Sequence, residues 1–243
     1  MMKPILTIFS SMLLLISIAM PSSAQDAQDP QDIETASDLL ARVAEEYSDF
    51  EDYVAEIVMT TEEDDMRGTF YHKEPNLLYI EFSEPEDQFI LSDGSTLRVH
   101  VPSLNTTLTQ ELRRQSDATP GSVATGDGLE LLTRNFSVAY QDSPEYVNVQ
   151  GTNGVLESVG PDTDVVNLRL DTNSPNEGYR QLILSIDSDY RIRRILGTTV
   201  DNDIVQFDFI DIRANVSVPD SRFDYESPPA SSTFEDFLFE SDG

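Results

Sequence analysis

Gly68-Thr69-Phe70-Tyr71-His72-Lys73-Glu74-Pro75-Asn76-Leu77-Leu78 opens a stretch, running on to Leu108, whose reading decides the fold. Residues of one parity (Gly68, Phe70, His72) alternate with residues of the other (Thr69, Tyr71, Lys73), the period of a β-strand. Pro75-Asn76 turns the chain, and Leu77 to Phe82 gives the next strand. Pro85 interrupts again before Gln88 to Leu91. Asp93-Gly94 then sits between two apolar runs, a strong hairpin signal. Thr96 to Val101 and Leu104 to Leu108 continue the meander across Pro102-Ser103.

The same period extends outward. Upstream, Tyr53, Ala55, Ile57 and Met59 alternate with Val54, Glu56, Val58 and Thr60, and Glu62 to Asp65 supplies the turn. Before them, Ile33, Ala36, Leu39, Leu40, Val43 and Tyr47 recur at helical spacing, so Ile33 to Tyr47 is predicted as an amphipathic helix. Thr35 and Asp38 form a capping-box pattern at its start, with Asp in place of Glu. Downstream, Arg113 to Gly128 breaks the rhythm with Pro120 and several glycines and reads as a long loop. A short helix carrying Leu129, Leu131, Leu132 and Phe136 follows, with Asp127 as its expected cap. Further strands are predicted at Ser137 to Gln141, Tyr146 to Gln150, Asp164 to Leu170, Arg180 to Ile186, Arg191 to Thr198 and Ile204 to Ile212. About ten strands without βαβ alternation imply one antiparallel sheet that curls or closes. The fold class is therefore mainly β (α+β): an incomplete, strongly curved antiparallel barrel with helices covering its concave apolar face.

The ends of the chain are of another character. Lys3, the apolar stretch Ile5 to Met20 and Pro21-Ser22-Ser23-Ala24 read as a secretory signal cut after Ala24. A retained anchor is the competing reading, but the run is short for a span of about 20 residues. The expected organisation is a signal peptide over 1–24, a flexible N-terminus over 25–32, one domain over 33–226 and an acidic tail over 227–243 carrying Phe234, Phe237 and Phe239.

Composition excludes several classes. With 15 basic and 45 acidic residues the formal net charge is −30, and Lys73 is the one lysine beyond Lys3. Such a field repels nucleic acid and anionic membrane surfaces. Salt adaptation explains it: near 1 M salt the Debye length falls to about 3 Å and the like charges barely interact. There are no cysteines, hence no disulfide, no thiolate metal site and no lipidated N-terminal cysteine. His72 and His100 lie in predicted strands without local partners and read as solvated. Gly126-Asp127-Gly128 is too short for a phosphate loop, and Asp201-Asn202-Asp203 lacks the Gly and distal Glu of a calcium loop. No catalytic motif, metal or cofactor is called for.

Several strands are apolar on both faces: Val54 and Val58 against Ile57 and Met59, Leu77 and Tyr79 against Leu78, Ile80 and Phe82, Ile204 and Ile210 against Val205, Phe207 and Phe209. One explanation is a sheet covered by helices on one side and partly buried on the other. The other is a concave face that lines a cavity, with the helices as its lid.

From Gly68 to Leu108 the sequence resembles the LolA-like family of periplasmic outer-membrane lipoprotein carriers. The shared pattern is glycine, aromatic, basic residue, Pro75-Asn76, a short strand, Pro85, Ser92-Asp93-Gly94 and a strand ending at Val101-Pro102. Leu131-Leu132-Thr133-Arg134-Asn135 is similar to the family's mid-chain helix end, and Phe223-Asp224-Tyr225 with Pro228 to its C-terminal strand. The resemblance implies a monomeric periplasmic shuttle for acylated lipoproteins, loaded at an inner-membrane ABC release complex and unloaded at an outer-membrane acceptor. Family members often carry Arg just before the Pro-Asn pair, where it holds the lid helices; here that residue is Glu74. An envelope-stress or signalling module using the same fold to bind a lipid or protein partner is the rival reading. The candidate cavity residues are Tyr53, Ile57, Met59, Phe70, Leu78, Ile80, Phe82, Phe89, Leu97, Val99, Val205, Phe207 and Phe209, faced by Leu39, Leu40 and Val43 of the lid helix.

Overall fold

The computed structural model describes residues 34–112, 124–151, 161–172, 179–224 and 231–235. The expected signal peptide and N-terminus, Tyr225, Phe237, Phe239 and most of the long loop lie outside the described residues. Among the described residues thirteen strands form one sheet: β1 (Asp52–Thr60), β2 (Asp65–Lys73), β3 (Leu77–Glu84), β4 (Phe89–Ser92), β5 (Thr96–Val101), β6 (Thr106–Glu111), β7 (Phe136–Tyr140), β8 (Val147–Asn148), β9 (Asp164–Thr172), β10 (Tyr179–Ile186), β11 (Ile192–Thr199), β12 (Ile204–Ala214) and β13 (Ser232–Glu235). Their order is β13-β6-β5-β4-β3-β2-β1-β12-β11-β10-β9-β7, with β8 pairing β9 to one side. The sheet is open, with β13 and β7 at its edges. Its pairs are antiparallel except that of β13 with β6. This is the mainly β, incompletely closed architecture predicted from the meander.

Local chemistry sets the turns. Gly94 takes φ +82 in the β4–β5 hairpin, while the Asp93 carboxylate accepts from the backbone N–H groups of Ser95 and Thr96. A Cβ on Gly68 would collide with the Glu81 carbonyl and the Phe82 Cα of β3, so the close approach of these strands requires glycine. In β12 a bulge opposite Ala55, with Asp211 at φ 50, shifts the side-chain parity and brings Ile212 to the same core as Phe207 and Phe209.

Two helices lie on one face. Helix α1 (Ala36–Ser48) begins at the predicted Thr35–Asp38 capping box and buries Ala36, Leu39, Leu40, Val43 and Tyr47. Helix α2 (Gly126–Asn135) is capped by Thr125 rather than Asp127. Thr125 is in extended backbone, so its hydroxyl accepts from Gly128 N–H at 3.0 Å, whereas Asp127 already lies within the first turn. Leu129 and Leu132 of α2 join Leu40, Phe70, Ile80, Leu168, Leu184 and Phe209 in the main apolar core. That core lies between the helices and the concave face of the sheet.

The convex face is closed differently. After β12 the Asp52 carboxylate accepts from the N–H groups of Val216, Ser217 and Val218, at 2.8, 3.1 and 3.0 Å. This returns the chain over the sheet, where Val218 and Phe223 pack with Val54, Leu91, Tyr71 and Tyr79. Phe223, expected in a strand, therefore ends a 3-10 turn at Asp220–Phe223. Likewise the strand expected at Tyr146 to Gln150 is reduced to β8 and followed by a 3-10 turn over Val149–Gly151. The C-terminal stretch set apart as a tail contributes β13 to the sheet through pairing with Thr106 to Thr109.

Candidate apolar cavity between the helices and the sheet

The strand register assembles the site from its residues. Ala55 stands opposite Phe70, Phe70 opposite Ile80, Ile80 opposite Ile90, Ile90 opposite Val99, Val99 opposite Leu108, and Leu108 opposite Phe234. One apolar row thus crosses seven strands. It is sealed at one end, where Phe70 and Ile80 are buried beneath the helices. Ile90, Val99 and Leu108 are half-buried, and Phe234 at the sheet edge is 58% exposed. Toward the other end of the strands, Met59 pairs with Phe207 and Met66, and Met59, Met66 and Val205 are partly buried against the same core. Methionine at this margin gives a lining that repacks readily.

Of the residues singled out in the sequence, Tyr53, Ile57, Met59, Phe70, Leu78, Ile80, Phe82, Val205, Phe207 and Phe209 join the core under α1, together with Leu39, Leu40 and Val43. Leu97 and Val99 lie on the same face farther along the sheet, opposite Ser92 and Ile90. Phe89 does not join them. It stands opposite Glu81, and packs on the convex face against Val54, Leu91, Val218 and Phe223. The turn between β3 and β4 places Ile90, not Phe89, across from Ile80, and a one-residue shift exchanges the faces. Sequence reasoning also missed Met66, Ile90, Leu129, Leu132 and the second-half core residues Leu168, Leu170, Leu182 and Leu184. The alternation Val166, Leu168, Leu170 and Leu182, Leu184, Ile186 carried that signal.

Few polar ties hold the described parts of the helices down. The Tyr53 hydroxyl donates to the Ala124 carbonyl at 2.6 Å, just ahead of α2. Ile192 N–H donates to the Tyr47 hydroxyl at 3.1 Å, the Tyr140 hydroxyl to the Glu34 carbonyl at 3.0 Å, and Arg42 to the Tyr190 hydroxyl at 2.9 Å. Burial pushes the Tyr47 and Tyr53 phenols well above their usual range, so both remain neutral donors and acceptors. Glu74, where the resembling family often has Arg, is exposed at the β2–β3 turn. Among the described residues tyrosine phenols make these ties, beside a 4.0 Å ion pair of Arg191 with Glu46 of α1.

Both histidines are buried rather than solvated. His100 lies on the convex face with Nδ1 3.0 Å from the Thr107 hydroxyl. His72 lies on the concave face between Tyr53 and Leu78, its ring 5.3 Å from that of Tyr53. Neither His72 nitrogen has a hydrogen-bond partner among the described residues, and burial lowers its pKa to about 4. Among the described residues no His, Asp or Glu cluster could hold a metal ion, and no helix is long and apolar enough to cross a membrane.

The comparisons with known proteins agree with the resemblance read from the sequence, at low identity. The family model described as outer membrane lipoprotein carrier protein LolA matches residues 58–151. An outer-membrane lipoprotein carrier protein of Pseudomonas putida strain GB-1 is 24% identical over 169 residues, 70% of this chain and 72% of that protein. One from Pseudomonas putida strain W619 is 23% identical over 235 residues, 97% of this chain and all of its own length. An uncharacterized conserved protein from Thermus thermophilus, 12% identical, superposes with a TM-score of 0.51 over 83% of this chain and 99% of its own, a likeness of fold.

Proposed function

We propose that this chain is a periplasmic carrier that shelters lipoprotein acyl chains between the helices and the concave face and delivers them towards the outer membrane, without covalent chemistry. The observation that carries the reading is the concave apolar row, sealed under α1 and α2 at Phe70 and Ile80 and opening to Phe234 at the sheet edge. Leu39, Leu40, Val43, Leu129 and Leu132 meet the sheet through apolar contacts, which an acyl chain replaces in kind. Burying a methylene is worth about 0.8 kcal/mol, so a chain of ~16 carbons costs on the order of 12 kcal/mol to leave in water. An acylated protein therefore needs such shelter to cross an aqueous compartment. The match to a model of carrier proteins and the names of the relatives support a carrier; loading at a membrane release complex and unloading to an acceptor by a monomer belong to the proposal.

The test is binding of a triacylated lipopeptide and of its deacylated twin to the mature protein. Saturable binding of the acylated form alone is expected. Phe207→Glu, which sets a carboxylate beside Met59 and Ile195, should abolish uptake while the protein stays soluble. Binding of neither peptide would reject the carrier reading in favour of a protein-binding module.

A further inference from the structure

Across the convex face, aromatic rings form a ladder over four neighbouring strands. Tyr71 of β2 stacks on Tyr79 of β3 at 6.0 Å, Tyr79 meets Phe89 of β4 at 6.1 Å, and Phe89 stacks on His100 of β5 at 5.3 Å. At the β2 end the chain supplies its own cation. The Arg222 guanidinium lies 4.8 Å from the centre of the Tyr71 ring, and its Nη1 lies 3.3 Å from the Glu81 carboxylate. Beyond Tyr79 the ladder opens into a cleft of about 630 Å³ beside the β3–β4 turn. Tyr79, Phe89 and His100 line it together with Glu81, Glu86 and Asp87.

We propose that this cleft binds an arginine-bearing basic segment of a partner protein. A guanidinium is a planar cation that stacks on aromatic faces while pairing with carboxylates. Arg222 already makes that pair of contacts one strand away, with Tyr71 and Glu81. At the cleft Tyr79, Phe89 and His100 present the end of the same ladder, and the exposed Glu86 and Asp87 have no ion-pair partner among the described residues. The volume suits one or two side chains of a peptide. A net charge of −30 draws basic segments towards the surface and repels phosphate or carboxylate ligands. The aromatic rings of the site lie on the face of the sheet opposite the proposed acyl-chain site, while Phe82 of the concave core lines the cleft near the turn; the proposal does not depend on that reading.

The test measures fluorescence anisotropy of a labelled peptide, acetyl-Gly-Arg-Gly-Arg-Gly-amide, against the full mature protein, with a lysine twin as comparison. Because a strongly acidic protein attracts any cation, two variants of equal charge are compared. Glu86→Gln with Asp87→Asn removes two charges at the cleft. Asp201→Asn with Asp203→Asn removes two at the exposed β11–β12 turn. Asp87 has φ 64, a conformation asparagine tolerates, so the cleft variant keeps its turn. Saturable binding is expected, tighter for the arginine peptide, weakened about tenfold by the cleft pair and by Phe89→Leu, and unchanged by the turn pair. No saturable binding, equal loss with both charge pairs, or equal affinity for the lysine twin would each overturn the proposal.

Discussion

His72 is a base buried where it cannot be solvated. Its ring is packed against Tyr53, and burial drives its pKa down from the ordinary 6.5 to about 4, against the opposing pull of the Asp52 carboxylate. The unfolded chain takes up a proton near 6.5, but the folded chain resists it until about 4. Its share of stability is therefore complete above the higher value and is lost as pH falls through this window, by on the order of 3 kcal/mol. His72→Leu should lose less stability than the native protein between pH 7 and pH 4.5 in urea titrations; parallel losses would show that the ring is solvated. A second buried polar group, unlike His72, has an ion-pair partner. Arg194 pairs with Asp208 at 2.6 Å, with side-chain exposures of 5% and 0%. Arg194→Met leaves the buried Asp208 carboxylate without its cation, though still accepting from Gln206 Nε2, and should cost about 3–5 kcal/mol, much of it recovered when Asp208→Leu is added. Chemical denaturation of the single and double variants measures the difference.

Among the described residues the helices and the sheet meet through an interface that is apolar in area and sparse in hydrogen bonds, which suits the parting that the proposed uptake requires. Tyr53 ties β1 to the residue two ahead of α2 through its 2.6 Å bond to the Ala124 carbonyl. Tyr53→Phe keeps the ring contacts with Tyr47 and Phe70 and removes only that bond. It should cost about 1 kcal/mol of stability. It should also speed exchange of a bound triacylated lipopeptide, read by stopped-flow fluorescence; an unchanged exchange rate would mean that α2 does not move in uptake. At the other end of the row, β13 places Phe234 beside Leu108. That edge extends the concave apolar face past the domain boundary drawn from the sequence.

At the scale of the whole molecule the surface charge dominates. With 45 acidic residues against 15 basic, carboxylates outnumber the cations that could pair with them threefold, so the net field is repulsive. Screening this repulsion should stabilise the compact state, since the Debye length shrinks from about 10 Å at 0.1 M salt to about 3 Å at 1 M. The melting temperature of the mature protein should therefore rise with sodium chloride over that range. A melt that stays constant would reject salt adaptation as the reason for the composition.

Much of the architecture is local and was legible as such. Period-two alternation around Gly68 to Leu108 needs only neighbouring residues to specify strands, and Asp93-Gly94 needs only its own backbone to specify a hairpin. The capping box at Thr35 and Asp38 and the apolar stripe from Ala36 to Tyr47 are likewise local, so α1 and its buried face followed from the sequence. What the sequence could not decide was which residues stand opposite one another. Phe89 is apolar and in a strand, which alone points it to either face, and the β3–β4 register puts Ile90 rather than Phe89 on the concave one. The bulge at Asp211 exchanges faces within β12, and the Asp52 carboxylate turns the Val216 to Val218 backbone across the convex face. His72 and His100 looked solvated because strand position alone does not tell what covers a side chain. Register, bulges and long-range capping depend on contacts between residues far apart in the chain, and those contacts exist only once the strands have paired and the sheet has curled over its helices.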